Sequence, residues 1–281
     1  MTFIVSARDS GDFPNGRLAW DILRHAAGHN RQTPDHIDLR ACVHLKPYSL
    51  ACLAALGAKS GGTTILSLPS DAACREHLIR LGIHRWFLTD PIEDVPDRPT
   101  NVPIQQLMNA PGTFADKAMA LWEREIGGLP ANMRQIFSSH LDEMIYNALG
   151  HSASSVGCFV VGQAFPKERF VDVSIVDLGI TIRRSLVRNP LYAGVSDDRQ
   201  AIELAIQEGV TGTPPGYNNL LGQPNSGSGL TELVRFCANG NGVLSIISGG
   251  SCVSFCQGLE FAYPINVPFA GTLVNVRFLT G

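Results

Sequence analysis

The sequence has no strong excess of charge of either sign. It contains 22 Lys and Arg against 25 Asp and Glu, a formal net charge of −3. Because the charges are nearly balanced, they give no electrostatic argument for binding nucleic acid or an anionic membrane. No apolar run approaches the roughly 18 to 20 residues of a membrane-spanning helix, and the first residues, MTFIVSARDSGDF, carry acids where a secretory signal has an apolar core. We expect a cytoplasmic protein whose partners include neither nucleic acid nor membrane.

Two kinds of ligand-binding motif are also missing. The seven cysteines include no C-x-x-C pair, which is typical of reduced thiols in a core rather than of a structural zinc site. The sequence contains no P-loop, and no G-x-G-x-x-G fingerprint follows a strand. Two common phosphate-binding fingerprints are therefore excluded.

The length and the local pattern predict two domains. The 281 residues exceed one average domain and fit two compact ones. Residues 1 to about 90 alternate between short apolar strands and amphipathic helices, among them the helix GRLAWDILRHAA and the strand RWFLTD, which indicates an α/β layer. Residues 90–103, DPIEDVPDRPTNVP, contain four prolines and prevent a continuous helix or strand. We therefore predict domains over 1–100 and 101–281.

The second domain begins with helices and continues with strands. Helices are predicted around 113–124, through the segment that ends at His151, and around 182–188, 199–208 and 230–237. Five strands are predicted from Val156 onward: VGCFVVGQAF, RFVDVSIVD, GVLSIIS, SCVSFCQ and TLVNVRFL. Between the last two helices lies GVTGTPPGYNNLLGQPNSGSG, a Gly- and Pro-rich loop. A loop of about 20 residues without secondary structure is usually a lid or a binding loop.

One helix carries polar residues at regular spacing. In LDEMIYNALGHS, Glu143, Asn147 and His151 are four residues apart. Together with His140 they fall in an arc of about 80° directly beside the apolar arc of the helix. Such a stripe could line a ligand cavity, or it could be an ordinary half-buried helix face. The spacing alone leaves both readings open.

The order of motifs after this helix resembles that of the GHKL superfamily of ATP-binding proteins, which includes sensor histidine kinases, gyrase-type topoisomerases, heat-shock chaperones and anti-sigma-factor kinases. Glu143, Asn147 and Ala148 match the N box of that superfamily. IVDLGIT, with Asp177 and Gly179, matches its first glycine box, although Thr181 stands where the last glycine is usual. The resemblance covers residues 105–281 and implies a two-layer α/β sandwich with a mixed sheet and a long ATP lid.

The second glycine box and the closing strand extend the resemblance. GQPNSGSGLTELV matches the second glycine box through Gly222, Gly227, Gly229 and Leu230. Glycines at the start of a helix free backbone N–H groups to meet phosphate oxygens. Thr272, in FAGTLVNVRF, matches the threonine whose hydroxyl supports the adenine-binding aspartate.

The resemblance implies a role for each matched residue. Asn147 would hold the Mg²⁺ that bridges the phosphates of ATP, and an amide oxygen is a hard ligand suited to that ion. Glu143 would be the catalytic base that activates water or a hydroxyl. Asp177 would accept a hydrogen bond from the adenine amino group, with Gly179 and Thr181 beside it. His151 would lie near the phosphates.

Two groups of basic side chains need separate interpretation. His140 lies only three residues before Glu143 on the same helix, whereas a phosphoacceptor histidine needs a separate helix that can swing toward ATP. We therefore interpret His140 as a bystander at the edge of the core. Arg183, Arg184 and Arg188 follow the first glycine box and could reach phosphates, or could belong to an ordinary surface helix.

The first domain resembles the STAS domain of anti-sigma-factor antagonists. Asp38, in HIDLRACVHLKPYSLACLAAL, matches the opening aspartate of the STAS phosphorylation segment, but Pro47 occupies the phosphoserine position. Ser49 is then either a substitute acceptor or the N-cap of a helix. A STAS-like domain implies a protein partner.

Three hypotheses follow. The first is an ATP-binding regulatory protein in which Mg-ATP binding or slow hydrolysis controls a protein partner, and a homodimer is compatible with it. The second is a protein serine kinase of the anti-sigma type. The third is an adaptor that binds no nucleotide, which the replacements at Thr181 and Pro47 would favour.

Overall fold

The structure is a computed structural model that describes residues 2–4, 33–93, 95, 100–127, 131–214 and 229–279. The predicted helix GRLAWDILRHAA and the glycines Gly222 and Gly227 lie outside these residues. Within them, no helix has the length and the apolar character needed to cross a membrane.

The chain is of the α/β class, as predicted. The strands are β1 (Thr2–Ile4), β2 (His36–Asp38), β3 (Ile65–Ser67), β4 (Asn101–Leu107), β5 (Cys158–Phe165), β6 (Phe170–Asp177), β7 (Gly242–Cys256) and β8 (Leu259–Leu279). The helices are α1 (Pro47–Lys59), α2 (Ala72–Arg80), α3 (Phe114–Glu125), α4 (Ala131–His151), α5 (Ile182–Leu186), α6 (Asp198–Ala205) and α7 (Gly229–Phe236). Short 3-10 turns occur at Ile83–Trp86 and Pro190–Tyr192, and a π-helical turn at Cys237–Asn241.

The strands form two sheets. The smaller sheet has the order β1-β2-β3 and is parallel. The larger sheet has the order β4-β5-β6-β8-β7. We expected the larger sheet to be mixed, whereas all four of its described strand pairs are antiparallel. Short hairpins join β5 to β6 and β7 to β8, and a short hairpin can connect only antiparallel strands.

Two strand predictions near residue 100 were wrong. The predicted strand RWFLTD is a 3-10 turn followed by a single bridge between Leu88 and Ile65. Residues 101–103, which we assigned to the Pro-rich boundary, begin β4. This strand lies at the edge of the larger sheet, and its register shifts between Val102 and Gln105. Pro103 is tolerated there because an edge strand or a bulge does not need every backbone N–H.

The larger sheet has an apolar cluster on each face. One cluster joins it to α3, α4 and α7, and includes the stacked rings of Trp122 and Phe137 together with Phe278. The other cluster joins residues of β5, β6 and β8 to α1, which is buried from Pro47 to Gly57. Hydrophobic contacts therefore cross the boundary that we predicted near residue 100, and the division into two domains stays a prediction.

The first turn of α1 differs from the one that we expected. Its N-cap is Lys46, and Pro47 is its first residue, where proline is well tolerated. Ser49 lies inside the helix with no exposed surface. The N-cap assignment of Ser49 was therefore wrong.

The β7–β8 hairpin is longer than predicted and strongly bent. We predicted two strands, GVLSIIS and SCVSFCQ, where the structure has the single strand β7. The hydroxyls of Ser245 and Ser254 are 2.7 Å apart although nine positions separate them. An extended strand would hold them far apart, so β7 folds back on itself, and its register shifts at Gly249.

Candidate functional site

Most of the described residues that the motifs singled out line one cavity. The space between its walls amounts to about 820 Å³, part of which is open to solvent. Its wall is built from α4, the end of β6, the following loop, α7 and β8. The predicted residues in that wall are Asn147, His151, Asp177, Thr181, Leu230 and Thr272. They come from four segments that are far apart in sequence, so the fold rather than local spacing brings them together.

Asp177 is the buried carboxyl group of this cavity. It is the last residue of β6 and is 2% exposed. Its Oδ1 accepts a hydrogen bond from the backbone N–H of Gly179 at 2.9 Å. Burial raises the pKa of Asp177 to about 8, while the backbone N–H groups of Gly179 and Thr272 act in the opposite direction. A ligand that donates a further hydrogen bond would favour the ionised form.

Gly179 allows the loop after β6 to lie directly against the end of α4. A Cβ at this position would lie 2.0 Å from the carbonyl oxygen of Ser152. The next residue, Ile180, donates its backbone N–H to that same carbonyl oxygen. Only glycine fits such a close approach of two backbone segments. Gly179 therefore positions the cavity wall next to Asp177.

Thr272 supports Asp177 through its backbone rather than through the hydroxyl that we expected. Its N–H bonds to the carboxyl group of Asp177, and its Oγ1 lies 3.3 Å from Oγ of Ser248. Ser248 accepts a hydrogen bond from the backbone N–H of Ile182 and donates one to the carbonyl oxygen of Gly271. Sequence reasoning missed Ser248, which ties the start of α5 to β8.

Thr181 replaces the glycine that is usual in the matched motif, and the structure accommodates it. It is the N-cap of α5, with φ −70° and ψ 161°. This extended backbone is open to any residue. Its Oγ1 accepts a hydrogen bond from the backbone N–H of Arg184 at 3.2 Å, so the threonine begins a helix that glycine would cap less well.

Glu143 belongs to α4, and its side chain contacts the first residue of α7. It is not part of the cavity wall described above. Its Oε1 accepts a hydrogen bond from the backbone N–H of Gly229 at 2.8 Å. A Cβ on Gly229 would lie 2.6 Å from Cδ of Glu143. A carboxylate is favourable at a helix N-terminus, where backbone N–H groups lack helical partners. Glu143 thus occupies the hydrogen-bonding position next to the N-terminus of α7.

Asn147 and His151 lie one helical turn apart on α4, at the cavity wall. Burial lowers the pKa of His151, and the nearby guanidinium group of Arg188 lowers it further. The imidazole is therefore neutral at neutral pH. In the described part of the chain, no group of three or more His, Cys, Asp or Glu side chains is arranged to hold a metal ion. A lone amide oxygen suits Mg²⁺, which keeps several waters and takes further ligands from phosphates.

The remaining basic residues have different surroundings. Burial lowers the pKa of His140, although Glu143 and Glu232 act in the opposite direction. Arg183 forms an ion pair with Asp198 at 3.1 Å, so this guanidinium group joins α5 to α6. Arg188 lies near enough to His151 to affect its pKa. Among the three arginines after the first glycine box, Arg188 thus lies near His151 of the cavity.

Comparisons with known proteins found no similar protein. No family model, no curated protein and no solved structure matches the chain. The function must therefore be inferred from the residues of the cavity.

Several lining residues had no signal in the sequence. Ser152 follows α4, and Ser185 and Gly212 also line the cavity. A Cβ on Gly212 would lie 2.6 Å from the carbonyl oxygen of Ser185, so this glycine allows the segment after α6 to pack closely against α5. Only contacts between distant segments identify these positions.

Proposed function

We propose that this protein is an ATP-binding regulatory protein, in which Mg-ATP binding or slow hydrolysis in residues 101–281 controls a protein partner through a STAS-like N-terminal part. One observation carries this proposal: residues of four separate motifs line a single cavity. The resemblance to GHKL proteins assigns those residues to one nucleotide, and their convergence is what such an assignment requires.

The buried end of the cavity suits adenine. Asp177 offers a carboxyl group in an apolar setting, with Ile175 and Val274 also in the wall. Two backbone N–H groups already hold this carboxyl group, so its direction is set before a ligand arrives. The adenine amino group would complete its hydrogen bonds. A buried polar group that recognises a ligand donor discriminates strongly against ligands that lack it.

The other end suits phosphates. Asn147 would hold Mg²⁺ together with phosphate oxygens and water, and Arg188 supplies a cation near His151. The N-terminus of α7 offers backbone N–H groups to an anion. Glu143 would have to leave the N–H of Gly229 before a phosphate oxygen could replace it. Once released, its carboxylate would take a proton from the attacking water, yielding ADP and inorganic phosphate.

Titration calorimetry with ATP in the presence and absence of Mg²⁺ tests this proposal. We expect the wild type to bind ATP more tightly with Mg²⁺, and Asn147→Ala to lose that dependence. His140→Ala is the matched control on the same helix and should bind like the wild type. If the wild type binds no ATP with Mg²⁺, the adaptor hypothesis replaces this proposal.

The kinase alternative differs in the acceptor. Ser49 has no exposed surface, so an acceptor serine on a partner protein fits this alternative better than Ser49 does. Incubation with labelled ATP and candidate partners distinguishes the two functions. Transfer of label to a partner would favour the kinase, whereas free phosphate without labelled protein would favour the ATPase.

A further inference from the structure

The outer strand of the β7–β8 hairpin has an open edge. Residues 259–264 pair with 251–256 on one side, and no strand among the described residues pairs with their other side. An open edge presents unpaired N–H and C=O groups to any strand of suitable shape. This segment, residues 259–264, is called the edge strand below.

Three large apolar side chains lie on one face of the edge strand. Leu259, Phe261 and Tyr263 are 59%, 43% and 41% exposed. Residues at alternate positions of a strand point to the same face, so the three form a continuous stripe beside the open edge. An apolar stripe next to unpaired backbone groups marks a surface for association.

The turn before the edge strand fixes which backbone groups point outward. Gln257 and Gly258 both have positive φ, 49° and 73°. They form a two-residue turn of type I′ between the paired residues Cys256 and Leu259. The residues that flank such a turn exchange hydrogen bonds with each other, and pairs then alternate along the hairpin. The backbone groups of Leu259 therefore point inward.

The same alternation continues along the edge strand. Phe261 and Tyr263 also direct their backbone groups inward, toward residues 251–256. Glu260 and Ala262 direct theirs outward. Pro264 follows at the next outward position and has no N–H to donate. The outward N–H groups of the edge strand are thus confined to Glu260 and Ala262.

We propose that the edge strands of two copies of this chain pair antiparallel about a two-fold axis at Phe261. In this arrangement Glu260 lies opposite Ala262 of the partner subunit, and the reciprocal pair repeats these hydrogen bonds. Phe261 lies opposite Phe261 of the partner subunit across the axis. Leu259 lies beside Tyr263 of the partner subunit, so the apolar stripes of the two copies meet.

The neighbouring registers are both unfavourable. One would place Glu260 directly opposite the same residue of the other copy, and like charges at opposite positions are destabilising. The other would place Glu260 opposite Pro264 of the partner subunit, which cannot donate a hydrogen bond. The edge strand is therefore complementary to itself in one register, and a two-fold arrangement closes after two copies.

The charge of Glu260 is only partly offset within each copy, because Arg199 also pairs with Glu203. The carboxylate of Glu260 lies 3.5 Å from the guanidinium group of Arg199 on α6. In the proposed register each Glu260 lies opposite Ala262 of the partner subunit rather than opposite another acid, which limits the repulsion between the copies. The interface is small, so we expect a dissociation constant on the order of micromolar.

Sedimentation of the full chain tests the pairing. At concentrations on the order of 100 µM, the wild type should sediment with the mass of two chains. Phe261→Lys and Phe261→Glu should each sediment as one chain, because each places two like charges across the axis. An equimolar mixture of the two variants should regain the mass of two chains. Leu191→Lys changes an exposed leucine outside the edge strand, 71% exposed, and should leave the dimer unchanged.

Ala262→Pro isolates the hydrogen bonds. It removes an outward N–H, leaves the inward ladder of the hairpin in place, and should weaken the dimer at least about tenfold. A wild type that sediments as one chain would overturn the proposal, and the edge would then be covered by other residues of this chain or by another protein. Dimers that persist in both charged variants, or a mixture that stays monomeric, would also overturn it.

Discussion

The surroundings of Asp177 differ strongly from those of an ordinary surface acid. It is buried at the end of a strand, and two backbone N–H groups hold its carboxyl group. Burial outweighs these hydrogen bonds and raises the pKa to about 8. A buried acid that is neutral without ligand and ionises when a donor approaches is well placed for recognition.

The raised pKa of Asp177 predicts a pH dependence of stability. Its ordinary value is 3.8 and its value in the fold is about 8, so between these pH values the folded protein keeps a proton that the unfolded chain has lost. The free energy of unfolding therefore falls as pH rises through this window. Asp177→Asn has no such group, and should gain on the order of a few kcal/mol relative to the wild type between pH 4 and pH 8.

Urea unfolding of both proteins at several pH values measures this difference. Glu168→Gln changes an exposed acid in the turn between β5 and β6 and should follow the wild type at every pH. A difference between the wild type and Asp177→Asn that does not vary with pH would mean that Asp177 is ionised throughout.

The proposed role of Glu143 as catalytic base predicts that ATP binding and ATP hydrolysis can be separated by substitution. In Glu143→Gln the side-chain oxygen can still accept the N–H of Gly229, but the amide cannot take a proton from water. ATP binding should be retained, while phosphate release should fall by about 100-fold or more. Phosphate release and calorimetry on the same preparation measure both quantities. Hydrolysis at the wild-type rate would remove Glu143 from the catalytic role.

At the level of single residues, the sequence identified side chains better than it identified their contacts. Asn147, Asp177 and Leu230 were predicted from motifs, and all line the cavity. The hydrogen bond from Ser248 to the loop and the contact of Glu143 with Gly229 were not predicted. Both join segments that are distant in sequence, and their geometry depends on how the chain packs.

At the level of elements, the loop after β6 packs directly against the end of α4. Gly179→Ala would bring a methyl group 2.0 Å from the carbonyl oxygen of Ser152. We expect a loss of about 1 to 3 kcal/mol in the free energy of unfolding. The control Gly194→Ala meets nothing within 4 Å and should change it by less than about 0.5 kcal/mol. Equal stabilities in denaturant unfolding would contradict the close packing.

Helices with a clear apolar stripe were predictable, and strands at sheet edges were not. The predicted helix at 113–124 appears as α3, and that at 199–208 appears as α6. By contrast, β4 contains Pro103, and the fold of β7 at Gly249 reverses the strand within the sheet. Local composition disfavoured a strand around Pro103 and indicated two separate strands on either side of Gly249. Both outcomes depend on which strands pair in the sheet, and this pairing cannot be predicted from the local sequence.

In the whole molecule, the apolar cluster around α1 joins the two halves of the chain. It combines Leu50 and Leu53 of α1 with Phe159 and Val176 of the larger sheet. Removal of α1 would expose an apolar face of that sheet. Interactions of this kind couple the stability of the parts that share them.

The shared cluster predicts one cooperative unfolding transition. Leu53 has no exposed surface, and Leu53→Ala should cost about 2 to 5 kcal/mol while shifting the whole transition. Val43→Ala changes a side chain that is 42% exposed and serves as the control. Calorimetry and circular dichroism would follow the unfolding. Two separated transitions, with only the first shifted by Leu53→Ala, would instead support independent domains that meet near residue 100.

The central claim is that the cavity around Asp177 binds ATP. Titration calorimetry of the wild type and of Asp177→Ala with ATP and GTP, both with Mg²⁺, tests it most directly. We expect the wild type to bind ATP and to discriminate against GTP, which has no amino group at the position that Asp177 would recognise. Asp177→Ala should lose most of the ATP affinity while remaining folded by circular dichroism. A folded Asp177→Ala that binds ATP as tightly as the wild type would contradict the claim.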